Sequence, residues 1–131
     1  SHINKKYQAG EKLSIDLVKE YKEHLIVVVP GFRGLRHLDK DEYIRLRGVD
    51  FGAGAKNYTI SAAGTGSAKL TIRLDSPDGE VVGTVNIKST GKVEKYRQFS
   101  TKINGASGVH DLYICIDEAE GDVRLDWWRF K

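Results

Sequence analysis

Several residues in this chain are of types that do chemistry, and their spacing decides which chemistry to expect. His110-Asp111 has the composition of an acid–base pair, but it stands at the start of a strand-like run with no nucleophile beside it. Asp41, Glu42, Asp50, Asp75 and Asp78 supply carboxylates enough for a glycosidase pair, yet Asp75 and Asp78 are accounted for by a turn and nothing else marks two of them as partners. His24, His37 and His110 show no metal-ligand spacing. Gly64-Thr65-Gly66-Ser67 lacks the Gly-Lys-Ser/Thr ending and the following helix of a phosphate loop. Asn57-Tyr58-Thr59 is a formal glycosylation sequon, relevant only in a eukaryotic secretory host. Cys115 is the only cysteine, so there is no internal disulfide, and in its strand-like run it reads as a small buried hydrophobe. Catalysis is not the expectation.

Binding is better served. Phe32 sits in Pro30-Gly31-Phe32-Arg33-Gly34, an aromatic followed by an arginine on a glycine-flanked loop. Ligand contact and inward anchoring of the loop fit Phe32 equally well. Tyr43, Arg45 and Arg47 share one strand face opposite Ile44 and Leu46, as a second binding face or, more plainly, a solvated one. Trp127 and Trp128 are adjacent and must face opposite sides. Parity with Phe130 sends Trp128 to the core, whereas Trp127 reads as packing under a loop or against the N-terminal strand.

These residues need a scaffold, and the pattern supplies strands. The chain has 131 residues, 14 Gly and 2 Pro, enough for one domain with one core. Leu70, Ile72 and Leu74 alternate with Lys69, Thr71 and Arg73, and Pro77-Asp78-Gly79 then turns the chain into a returning strand over 81–88. Further strands read at 24–29, 42–49, 57–63, 95–102, 111–117 and 123–130, separated by glycine-rich breaks at 64–67 and 104–108. The stretch 11–23 fits a helical period nearly as well as a strand and is read as an edge strand and loop. The expectation is an all-β, two-sheet antiparallel β-sandwich of eight or nine strands, a jelly roll, spanning 1–131 as a single domain. Leu70, Ile72, Leu74, Leu112, Ile114, Trp128 and Phe130 should form its core. Ser1-His2 has the look of an expression scar, so a leader has room to have been removed. A net charge of +3 spread along the chain argues against nucleic acid, and no apolar run is long enough to suggest a membrane span.

Four stretches carry a resemblance: YIRLRGVDFGAGA from Tyr43, LTIRLDSPDGEVVGTVNIKSTG from Leu70, GVHDLYI from Gly108 and LDWWRF from Leu125. In this order and spacing the chain resembles carbohydrate-binding module family 6, particularly copies appended to glycoside hydrolase family 43, from about Tyr7 to the C-terminus. The resemblance implies a jelly roll with a structural calcium and a sugar cleft among the loops at one end. Two aromatic rings sandwich a sugar there and an amide fixes its hydroxyls.

Carried across, the family's tyrosine falls on Leu46, its tryptophan on Val93 and its asparagine on Arg124, so all three are replaced. The loop with Phe32, Arg33, Arg36 and His37 is expected to border the same cleft, and several cations around it would favour an anionic sugar. Of the implied calcium ligands, Gln8 and Asp126 remain, one is replaced by Gly10, and Glu11 is one step out of register. The resemblance thus implies a non-catalytic, extracellular module of a secreted glycoside hydrolase. Its partners would be a polysaccharide or oligosaccharide and a catalytic module in the same parent chain. The alternative is a structural accessory sandwich that has lost sugar binding and buttresses that catalytic module.

Overall fold

A computed structural model describes residues 9–10, 13–14, 25–27 and 38–131. Nine strands are present among them: β1 (Leu13–Ser14), β2 (Leu25–Val27), β3 (Tyr43–Asp50), β4 (Ala55–Ala63), β5 (Ser67–Leu74), β6 (Val81–Ile87), β7 (Arg97–Ala106), β8 (Val109–Glu120) and β9 (Arg124–Phe130). They form two antiparallel sheets, ordered β1-β9-β4-β7 and β2-β3-β8-β5-β6. This is the expected all-β sandwich.

Alternation places the core. Leu70, Ile72, Leu112, Ile114, Trp128 and Phe130 are fully buried and Leu74 nearly so, which matches the sequence expectation for all seven. The apolar faces of the two sheets meet over this layer, removing their surface from water. Its aromatic part is a cluster on β9 and β4, with the Tyr58 and Phe130 ring centroids 4.8 Å apart and Phe51 edge-on to Phe130 at 5.1 Å.

Three departures from the sequence reading have physical reasons. Strand β3 bulges between Leu46 and Val49, where Gly48 takes φ +63° and donates its N–H to Asp111 Oδ1 at 3.0 Å. The break expected at 104–108 is shorter, because β7 runs to Ala106 and β8 begins at Val109. In the β5–β6 turn the left-handed residue is Asp75 (φ 70°), not Gly79. Gly79 is needed there for a different reason: a Cβ would overlap the Leu74 carbonyl.

Candidate functional site

The β4–β5, β6–β7 and β8–β9 connections lie together at one end of the sandwich, and backbone hydrogen bonds hold them in place. Thr90 N donates to Gly64 O at 2.9 Å, and Gly66 N donates to Asp122 O at 2.9 Å. The Thr90 hydroxyl, buried, accepts from Gly64 N at 3.1 Å and approaches Lys92 O at 3.0 Å. Ser89 Oγ accepts from Gly91 N at 3.1 Å. A loop pinned at this many points is preorganised, which lowers the entropy cost of any ligand it meets.

Two of the expected site residues stand at this end. Val93 is half-buried on the β6–β7 loop. Arg124 opens β9, and its Nε lies 3.5 Å from Asp122 Oδ1. Asp122 is thus the ion-pair partner of Arg124. Leu46 is different. It is fully buried within the hydrophobic core, on the inward face of β3 with Ile44, so it has no surface to offer a sugar and does not floor a cleft. The alternation of β3 already carried that information: Tyr43, Arg45 and Arg47 take the outer face. Phe32 and Arg33 lie outside the described residues, as do Arg36 and His37.

The calcium ligands are likewise only partly placed. Asp126 is half-buried on β9, and Gln8 lies outside the described residues. Its neighbour Ala9 accepts from Phe130 N, at the far end of β9 from Asp126. Among the described residues, no three histidine, cysteine, aspartate or glutamate side chains gather as a metal cluster.

Beside the loops, a groove of about 580 Å³ opens where β5, β6 and β8 reach this end of the sandwich. Lys40, Lys69, Lys88, Asn86, Glu118 and Glu120 are among the side chains that line it. Ala68, Ile87 and Ala119 line it too, so the groove is mixed in polarity.

Sequence reasoning missed two residues here. Thr90 carries no short-range signal, yet it is the pin between two loops. Tyr96 was read inside a strand, but it precedes β7 and is 43% exposed. Its parity with the polar, exposed Gln98 and Ser100 was the available signal.

At the opposite end, the sequence-adjacent His110 and Asp111 do not act as a pair. His110 Nδ1 meets Asp75 Oδ2 at 2.9 Å and its Nε2 meets Ser107 O at 2.8 Å. Asp111 instead accepts from Gly48 N. Cys115 is buried on the outer face of β8, in register with Tyr43 and Thr71, and burial pushes its thiol pKa up to about 11. It is an inert thiol rather than a nucleophile.

Residues 10–131 match the profile of the family described as carbohydrate binding module (family 6). An arabinoxylan arabinofuranohydrolase of Bacillus subtilis is 35% identical over 96 residues, which is 71% of this chain and 19% of that protein. The chain thus spans about a fifth of the length of that relative. Among solved structures, a family 6 module from Clostridium stercorarium in complex with cellobiose superposes with a TM-score of 0.76 at 26% identity, covering 98% of each chain. A glycoside hydrolase family 43 arabinoxylan arabinofuranohydrolase from Bacillus subtilis, in complex with cellotetraose, gives a TM-score of 0.76 at 25% identity, over 97% of this chain and 28% of that one.

Proposed function

The chain belongs to carbohydrate-binding module family 6, and from that premise we propose that it is the non-catalytic polysaccharide-binding module of a secreted glycoside hydrolase. The observation that carries the reading is the loop end, where Thr90 pins the β6–β7 connection to β4–β5 and Gly66 pins β4–β5 to β8–β9, beside Tyr96, Val93 and Arg124. Relatives named as arabinoxylan arabinofuranohydrolase and endo-1,4-beta-xylanase support a plant cell-wall glycan as ligand. Tethering by such a module keeps a catalytic domain of the same parent chain at high local concentration on its insoluble substrate.

A second reading has its own observation. Arg124 is engaged by Asp122 and the Leu46 position is core, so the family's aromatic sandwich is absent from these positions. That favours a structural accessory domain that supports a neighbouring catalytic module. Affinity electrophoresis of the isolated domain against neutral and acidic polysaccharides separates the two. Retardation on any glycan supports the binder, and unretarded migration across the whole panel leaves the accessory role.

A further inference from the structure

Arg124 pairs with Ala63 on β4, and Ala62 pairs with Arg97 on β7. Tyr96 directly precedes Arg97 in the chain. Arg124 at the start of β9 and Tyr96 just before β7 therefore stand on either side of the end of β4. Ala63 itself is buried, so it offers no surface between them.

The two flanking groups are chemically distinct. Tyr96 is an exposed aromatic, the kind of face on which the C–H side of a sugar stacks. Arg124 has its Nε buried against Asp122, and no hydrogen bond engages its two terminal amines among the described residues. Asp122 thus pairs with the inner edge of the guanidinium while its outer edge stays available for a bidentate contact. The surrounding charge has the same sign. Lys88, Lys92, Lys95 and Arg97 are all exposed on this connection, and none is ion-paired within the described residues. On the same two connections the acidic groups are Glu94, Asp122 and Glu120, and Asp122 is already committed to Arg124.

Resting on the sugar-binding reading above, we propose that this end of the sandwich recognises an anionic glycan. One charged sugar would stack on Tyr96 and present its carboxylate or sulfate ester to the terminal amines of Arg124. The cationic loop from Lys88 to Arg97 would attract the polyanion and hold its neighbouring charges. Arginine is better suited here than the amide it replaces, because its fork matches the two oxygens of a carboxylate or sulfate.

The test is affinity electrophoresis and titration calorimetry of the folded domain with polygalacturonate, a sulfated galactan, neutral arabinoxylan and a neutral β-glucan, at low and high salt. The expected result is binding to at least one anionic polymer, weakened by salt and reduced roughly tenfold or more in Tyr96→Ala and in Arg124→Gln, as loss of a stacked ring or a charge-assisted bond implies. Polygalacturonate and the sulfated galactan separate a carboxylate from a sulfate ligand. A paired Lys92→Glu, Lys95→Glu variant, on an exposed loop, keeps the test valid if Arg124→Gln fails to fold. Binding to the neutral polymers alone overturns the anionic class and leaves the sugar-binding reading standing. Silence on all four overturns both. Anionic binding that ignores salt or survives every variant places the ligand elsewhere and overturns this site.

Discussion

Thr90 and Gly64 hold each other in both directions. The Thr90 N–H donates to the Gly64 carbonyl at 2.9 Å, and the Gly64 N–H donates to the Thr90 hydroxyl at 3.1 Å. This reciprocal pair joins two loops 26 residues apart in sequence, and it is buried, so neither bond is exchanged for water without cost.

Thr90→Val keeps the shape and removes the hydroxyl. The Gly64 N–H is then left buried without its acceptor, a loss of about 1–3 kcal/mol. Urea denaturation should show a lower midpoint with an unchanged slope. If the loop is the binding element, glycan affinity should fall as well, because the loop rim would no longer be preorganised. An unchanged midpoint would show that the pin does not contribute.

Gly64 and Gly91 make a controlled comparison on the two partners of that pin. Both have positive φ, +144° and +87°. At Gly64 a Cβ would overlap the Asp122 carbonyl, whereas at Gly91 it would meet nothing within 4 Å. Gly91→Ala should therefore cost only the left-handed penalty, about 1–2 kcal/mol. Gly64→Ala must also push apart the β4–β5 and β8–β9 connections, so its loss should be clearly larger. Equal losses from chemical denaturation would contradict the packing described for this end.

The core offers a prediction of a different size. Trp128 is fully buried between the sheets, with its ring centroid 6.4 Å from that of Tyr58. Trp128→Ala should cost roughly 3–5 kcal/mol, enough to unfold a large fraction of a marginally stable domain. Trp127→Ala, on the half-buried opposite face, should cost less. A larger loss at Trp127 than at Trp128 in equilibrium unfolding would reverse the assignment of faces.

That assignment was legible before any coordinates, because two adjacent tryptophans on a strand must split between faces and Phe130 sets which one points in. The same period of two gave Leu70, Ile72, Leu74, Leu112 and Ile114. It also contained the burial of Leu46, since Ile44 and Leu46 share a face; aligning that position by family resemblance overrode a local pattern that was correct. What the pattern could not give is how connections meet. Thr90 contacts Gly64 across 26 positions, and Arg124 pairs with Ala63 from a strand distant in sequence. Neither relationship has a short-range signature. The bulge at Gly48 and the left-handed Asp75 are similar: each satisfies a tertiary constraint rather than a local propensity.

The last prediction concerns pH and the far end of the sandwich. Both ring nitrogens of His110 face acceptors, Asp75 on one side and the Ser107 carbonyl on the other. A neutral imidazole has one N–H and satisfies only one of them; the imidazolium satisfies both. The hydrogen bond to Asp75 is the largest cause that raises the His110 pKa above its ordinary 6.5. Partial burial opposes it, and the Ser107 carbonyl and the charges of Asp75 and Glu80 add to it. Phe51 packs near the ring and carries no charge, and Asp111 is turned toward Gly48. Because the folded pKa is raised, the stabilisation is fully present below the unfolded value and is lost as pH rises through the folded one. His110→Gln has no such titration. The stability difference between wild type and variant, measured by urea midpoints, should therefore be greatest near about pH 5.5 and shrink by about pH 8.5. Asp75→Asn should flatten the same dependence, since it removes the largest raising cause. The pair is partly exposed, so the effect should be modest and should weaken in salt. A wild-type advantage that grows with pH would mean that the imidazole is held neutral in the folded protein, contrary to the two acceptors it faces.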